Sequence, residues 1–189
     1  MNSPFPSRPL SRPPELISAG SVLLSRNSVD DAPDVVAAMT ESLAHLRPWM
    51  PWATDANATV EAQVLRLGEV WASWDAGTDF VYVLRLLEGG ESVLGVIGLH
   101  RRVGPGAIEI GYWTHVAHTG QGYMSAAAKA ATGAAVELAD VDRVEIHTDI
   151  ANVRSAAIPR KLGYRLERID ACTPEAPACA GQMQIWVWP

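Results

Sequence analysis

The sequence predicts a mixed α/β domain (α+β by some schemes), and three observations carry that expectation. Short β-branched and aromatic runs such as "DFVYVLRLL" and "RVEIHTDI" alternate along the chain with segments of helical apolar spacing. No internal repeat divides the chain. The 189 residues suffice for one substantial hydrophobic core and hardly for two.

The elements follow in order. Residues 1–20 carry Pro4, Pro6, Pro9, Pro13 and Pro14, which remove backbone donors and bias the residues before them away from helix, so this stretch reads as a flexible arm before a domain over 21–189. "SVLLSRNS" reads as a short strand. In "VDDAPDVVAAMTESLAHL", Asp30 or Asp31 can cap a helix, Pro33 suits its first turn, and Val35, Val36, Met39, Leu43 and Leu46 recur at helical spacing. A second helix through "NATVEAQVLRLGEVWASWDAG" is expected to bury Val60, Val64, Leu67, Trp71 and Trp74, with Gly68 weakening its interior. "DFVYVLRLL" and "SVLGVIGLH" form strands joined through an "EGGE" turn, and "PGAIEIGYWT" is the next strand. An alanine-rich helix, the strand "RVEIHTDI", a short helix from Asn152 to Gly163, and the strands "YRLERID" and "QMQIWVWP" complete the chain.

Composition excludes several functions. A hydrophobic fraction of 48% and a charged fraction of 19% suit a globular chain, because apolar burial must offset the entropy of ordering the backbone. A net charge of -6 with no long basic block argues against a surface that coats nucleic acid. No apolar run is long enough to cross a bilayer and the first 20 residues lack a signal-peptide core, so no membrane role and a cytoplasmic location are expected. Cys172 and Cys179 lie in one loop without a neighbouring histidine; reduced thiols, a loop disulfide and a metal site are all formally open, but four soft ligands are missing and no metal is expected.

The chemistry-bearing stretch is "HVAHTGQGYMSAAAKAATGAAVELAD". Gly120 and Gly122 leave the backbone unshielded just before a helix, whose first N–H groups and positive dipole end favour phosphate. The P-loop pattern G-x-x-x-x-G-K-[ST] is absent, so the turn alone does not distinguish ATP, NAD or coenzyme A. The segments "SLAHLRPWMPWA", "VIGLH", "IEIGYWTHVAHTGQGYMSAA" and "NVRSAAIPRKLGYRLE", taken in that order, resemble the Gcn5-related N-acetyltransferase (GNAT) superfamily, and within it the RimL/RimJ-like branch of protein N-terminal acetyltransferases. The likeness covers most of residues 21–189. It implies a mostly antiparallel central sheet flanked by helices, with acetyl-coenzyme A as cosubstrate.

The same resemblance implies site residues. Gly120 and Gly122 would hold the coenzyme A pyrophosphate on their amides, with Gln121, Tyr123 and Met124 lining the turn. Tyr112, Trp113, Thr114, His115 and Val116 would run beside the pantetheine arm. The superfamily's Arg or Gln three residues before the first glycine is replaced by Ala117, which removes a side-chain contribution and leaves the backbone mechanism. Asn152 and Ser155 would face the cofactor; Asn152 also reads as a plain helix cap. Pro159 removes a helical donor and frees the carbonyl of Ser155. Branch members use a serine at the position of Ser155 as general acid, leaving Tyr164 a packing role.

Acetyl transfer needs a neutral amine, and an α-amine with a reference pKa of about 7.7 to 8.0 is partly neutral near pH 7. Glu109 is the expected general base, acting through water, since burial raises a carboxyl toward the useful range; the alternative is a paired structural glutamate. Strand alternation puts Glu109, Gly111 and Trp113 on one face and Ile108, Ile110 and Tyr112 on the other. His115 and His118 read as loop residues rather than bases. Arg47, Trp49 and Trp52 in "HLRPWMPW" are expected to wall the acceptor, taken as a protein or peptide N-terminus or a small amine. A noncatalytic acyl-coenzyme-A sensor is the reading of a different class, and the sequence leaves a homodimer open.

Overall fold

A computed structural model describes residues 10–189 apart from 89 and 91. Its centre is one eight-stranded sheet built from β1 (Leu16–Ala19), β2 (Val22–Arg26), β3 (Asp79–Leu86), β4 (Gly95–His100), β5 (Ala107–Thr114), β6 (Arg143–Asp149), β7 (Arg165–Ala171) and β8 (Gln182–Val187), in the order β1-β2-β3-β4-β5-β6-β8-β7. Every neighbouring pair is antiparallel except β5 and β6. Among the described residues there are four α-helices: α1 (Ala32–Leu46), α2 (Val60–Ala76), α3 (Tyr123–Val136) and α4 (Val153–Leu162). This is the mixed, mostly antiparallel sheet flanked by helices that the sequence leads one to expect.

The boundary expected at residue 21 falls inside the sheet. Leu16–Ala19 pairs along its whole length with β2, and the residues before it are tied down by specific bonds: the Tyr82 hydroxyl donates to Pro14 O (2.8 Å), and Arg101 bridges Ser11 O (3.0 Å) and the Asp140 carboxylate (2.6 Å). Prolines that exclude helix do not exclude an edge strand, which tolerates missing donors. The rest of the expected arm, residues 1–9, lies outside the described residues, as do two residues of the "EGGE" turn.

Helix starts and faces also differ in detail. Asp31 stands at the N-cap of α1 as expected but makes no side-chain cap bond to it; its carboxylate instead joins Ser28 in a reciprocal cap of the short 3-10 turn that leads into α1. In α2 the buried stripe is Gln63, Leu67 and Trp74, while Val60, Val64 and Trp71 are exposed. Trp71 instead lies under the Arg26 guanidinium, 3.5 Å from its ring centroid, so a cation shields it where apolar packing was expected. Gly68 faces open space.

Two apolar layers sandwich the sheet. The first joins Trp74, Phe80, Tyr82, Ile97, Ile108 and Ile110 to the alanines of α3 (Ala127, Ala128, Ala131 and Ala135), whose small side chains let that helix sit close to the strands. On the second, α1 packs Val35, Met39 and Leu43 over Val81, Val83, Val96 and Trp113. The strand alternation read from the sequence is therefore correct: Ile108 and Ile110 face α3, and Trp113 faces α1.

Candidate active site

The parallel pair is short. β5 and β6 are registered only through Ala107, Ile108 and Glu109 against Arg143, Val144 and Glu145, after which the strands separate. In the antiparallel β4–β5 ladder the His115 N–H donates to Leu94 O (2.9 Å), so by alternation the main-chain groups of Ile110, Tyr112 and Thr114 point the other way, into the gap that β6 has left. A gap at the carboxyl ends of parallel strands is where open α/β sheets receive ligands. Here it opens into a cleft of about 830 Å³.

Four segments line this cleft: His45 and Leu46 at the end of α1 with Trp49 and Met50 just beyond it, the end of β5, the glycine turn with the start of α3, and one face of α4. Gly120 and Gly122 sit at its edge with φ of +75° and +85°. Gly122 is the N-cap of α3 without any side-chain cap, so the first-turn N–H groups at Tyr123, Met124 and Ser125 are left to a ligand. Arg154 and Lys161, one face of α4, add positive charge. Burial, with Arg154 next, holds His45 below its usual pKa; burial, with His115 next, does the same for His118, so both imidazoles lean neutral.

The opposite wall holds a pair of hydroxyls. Asn152 caps α4, its side-chain oxygen accepting from Ser155 N (3.1 Å). Pro159 denies Ser155 O its helical donor, and the Tyr112 hydroxyl takes that role (3.1 Å), while Ser155 Oγ donates back to the Tyr112 oxygen (3.3 Å). The freed carbonyl thus has a protein partner. Burial pushes the Tyr112 phenol up to about 12, so it stays protonated. Tyr164 is buried away from the cleft, hydrogen-bonded to Thr132 and packed on Trp188, as its packing role requires.

The structure distributes the expected site residues unevenly. Trp113, Thr114, Gly120, Gly122, Tyr123, Met124, Asn152, Ser155 and Trp49 line the cleft. His115, Val116 and Gln121 are not among its lining residues: His115 is buried against Glu41 (3.0 Å), Val116 N donates to Ser42 Oγ (3.0 Å), and Gln121 folds back onto Ala117 O (3.0 Å). These bonds fasten the glycine turn to α1. Arg47 is occupied in its own turn, pairing with Asp55 (2.6 Å) and donating to Ala53 O (3.3 Å). Trp52 packs against Trp113, centroids 6.3 Å apart, outside the cleft. Tyr112 lines the cleft as well, whereas Arg154 and Lys161 were missed; the i, i+7 spacing of the two cations with Ile158 between them was legible in "NVRSAAIPRKL".

The expectation that burial raises the Glu109 carboxyl requires a correction. It is buried, but Arg102 grips both carboxylate oxygens at 2.7 Å. Burial alone would raise its pKa; the Arg102 bonds and charge, with His147 and His100, outweigh it and hold the carboxyl below its usual value. His147 was not singled out by sequence. It stands between the carboxylates of Glu145, which it contacts, and Glu109 (3.9 Å), at the point where β6 leaves β5.

Comparison with known proteins agrees with this geometry. The family model of the acetyltransferase (GNAT) domain matches residues 21–165. The chain belongs to the GNAT family. No curated protein matches it. Among solved structures, a RimL ribosomal L7/L12 α-N-protein acetyltransferase in complex with coenzyme A superposes with a TM-score of 0.80 at 19% identity, over 92% of this chain and 97% of that one. The ribosomal-protein-S5-alanine acetyltransferase from Vibrio fischeri gives 0.82 at 17% identity, covering 92% and 95%. The microcin C7 self-immunity acetyltransferase MccE, bound to acetyl-CoA and AMP, gives 0.80 at 14%, covering 89% and 92%. The GNAT fold thus covers nearly the whole chain. Among the described residues no helix is long and apolar enough to cross a membrane, and no group of three or more His, Cys, Asp or Glu is placed to hold a metal. Both cysteines are free.

Proposed function

We propose that this GNAT protein transfers an acetyl group from acetyl-coenzyme A to a primary amine, and that the amine is the α-amine of a peptide or protein. The observation that carries the donor is the cleft itself: an uncapped helix terminus preceded by two glycines, two cations on α4, and strand groups facing a gap. The pyrophosphate fits the Gly120–Gly122 turn and the first N–H groups of α3, with Arg154 and Lys161 as counter-charges. The thioester supplies the acetyl group and the leaving thiolate. Main-chain N–H groups of β5 that face the gap polarise the acetyl oxygen, and Ser155 turns the hydroxyl hydrogen that it gives to Tyr112 here onto the departing sulfur, then regains a proton from solvent. The two ribosomal-protein acetyltransferases above share this fold, which supports the α-amine reading.

With its carboxyl held low, Glu109 is a poor match to an ammonium near pKa 8, so the acceptor loses its proton to solvent and Glu109 serves as a fixed negative charge paired with Arg102. Between pH 6 and 9 it does not titrate. Glu109→Gln is therefore expected to lower kcat/KM by less than about tenfold and to leave the rise of rate with pH unchanged in shape, against the 10²- to 10⁴-fold typical of a lost general base. A large loss that high pH repairs would restore Glu109 as the base. The function itself is tested by coenzyme A release with a panel of peptides and small amines: N-terminally free peptides should turn over and N-terminally blocked ones carrying lysine should not. Turnover confined to small amines would overturn the α-amine reading.

A further inference from the structure

A second recess lies on the far side of Trp113 from the donor cleft. It measures about 110 Å³, smaller than the roughly 150 Å³ cavity that accepts benzene, and lies between α1, α2 and the β4–β5 floor. Trp113 and Val96 form the floor, Trp52 and Met39 flank it, and Arg66 of α2 stands exposed among its lining residues. The residue that makes it unusual is Asn27. Its main chain is satisfied, the N–H donating to Val81 O (3.1 Å), yet its side chain, in a residue 1% exposed, has no partner among the described residues for either Oδ1 or Nδ2. A buried amide left without partners is costly. Neighbouring Gln63 does not relieve it, because its Nε2 is turned to Asn57 O (2.8 Å).

We propose that this recess receives the first side chain of the acceptor and selects a short neutral one that donates and accepts a hydrogen bond at once, a hydroxyl or a carboxamide. The proposal rests on the α-amine reading above. Trp113 lines both the cleft and the recess, so an α-amine brought to the gap beside β5 has its own side chain at that ring. Asn27 offers a carbonyl oxygen that accepts and an NH2 group that donates, and a side chain that both donates and accepts answers the two atoms together. A carboxylate leaves Oδ1 unpaired, an aliphatic chain leaves both atoms unpaired, and a cationic chain meets the Arg66 guanidinium. The small volume excludes rings.

The test compares peptides identical except at the first residue, in the pairs Thr and Val, Ser and Ala, Asn and Leu. In the parent the polar member of each pair should have a kcat/KM about tenfold higher or more, since a site that hydrogen-bonds its ligand rejects the apolar isostere. Asn27→Leu should erase the preference while acetyl-coenzyme A affinity stays the same. Asn27→Ala, which removes the amide without adding bulk, should erase it too and serves if the leucine variant folds poorly. Equal kcat/KM within pairs in the parent, or a preference that survives both substitutions, overturns the subsite. Tryptophan fluorescence titrated with threoninamide and valinamide gives a readout free of catalysis. Stronger binding of threoninamide that depends on Asn27, with no peptide acetylated, supports the subsite and sinks the α-amine reading; acetylated peptides without any pair preference do the reverse.

Discussion

Ser155→Ala is expected to lower kcat by about 10²- to 10³-fold with donor affinity nearly unchanged, the size typical of losing a positioned proton donor. The leaving group is a thiol, with a reference pKa of about 8.5, so at pH 7 expulsion as a bare thiolate is uphill and a hydroxyl at the sulfur helps most where the bond is breaking. What makes Ser155 more than an ordinary helix residue is the chain of contacts behind it. Pro159 withholds the helical N–H from Ser155 O, the Tyr112 hydroxyl donates there instead, and a phenol pushed up to about 12 by burial remains protonated throughout the working range and presents its lone pairs to Ser155 Oγ. Tyr112→Phe should accordingly give a smaller loss in kcat than Ser155→Ala, and the two together should cost less than the product of the single losses, because they act through one unit. Rates at saturating donor with a verified acceptor, beside coenzyme affinity by calorimetry, make the measurement. An unchanged kcat in Ser155→Ala would remove the hydroxyl from the chemistry.

How far the sequence led depended on whether an interaction was local. The order of strands and helices, the glycine turn, Asn152 as a cap and the facing of β5 all follow from periodicity or from residues a few positions apart, and all are found in the structure. Failures came where distant segments meet. Residues 11–14 look like a proline-rich arm until Tyr82, Arg101 and Asp140 are seen to hold them. Glu109 looks like a buried base because the sequence shows burial and not its direction toward Arg102, which reaches it across the β4–β5 connection. Trp71 satisfies the helical stripe on paper and is displaced from it by Arg26, an interaction across 45 residues. Tyr112 was assigned to the correct face and placed beside the cofactor arm without its bond to Ser155, since its partner is a carbonyl freed 43 residues later.

Gly122→Val, and with it Gly120→Val, should weaken acetyl-coenzyme A binding by at least about tenfold, and this is the substitution on which the donor site stands. The reason is conformational rather than steric. A Cβ built at either glycine meets no atom within 4 Å, so there is room for a side chain, yet φ is +75° at Gly120 and +85° at Gly122. An L-residue in the left-handed region costs about 1–2 kcal/mol, and a β-branched one more. The chain relieves that strain by rotating the peptide planes on either side of the turn, which are the planes that aim the first N–H groups of α3 into the cleft. Asparagine tolerates the left-handed region, so Gly122→Asn should bind more tightly than Gly122→Val, an order that a purely steric role would not give. Gly68→Ala is the matched control: it also meets no atom within 4 Å, but it sits in the exposed face of α2 at ordinary helical geometry, where alanine is neutral or stabilising. Calorimetric titration, together with the upward shift in melting temperature that a bound ligand produces, reads both quantities. Parent-like binding by both valine variants would move the pyrophosphate away from the glycine turn, whereas loss in these two with retention in Gly68→Ala fixes it there.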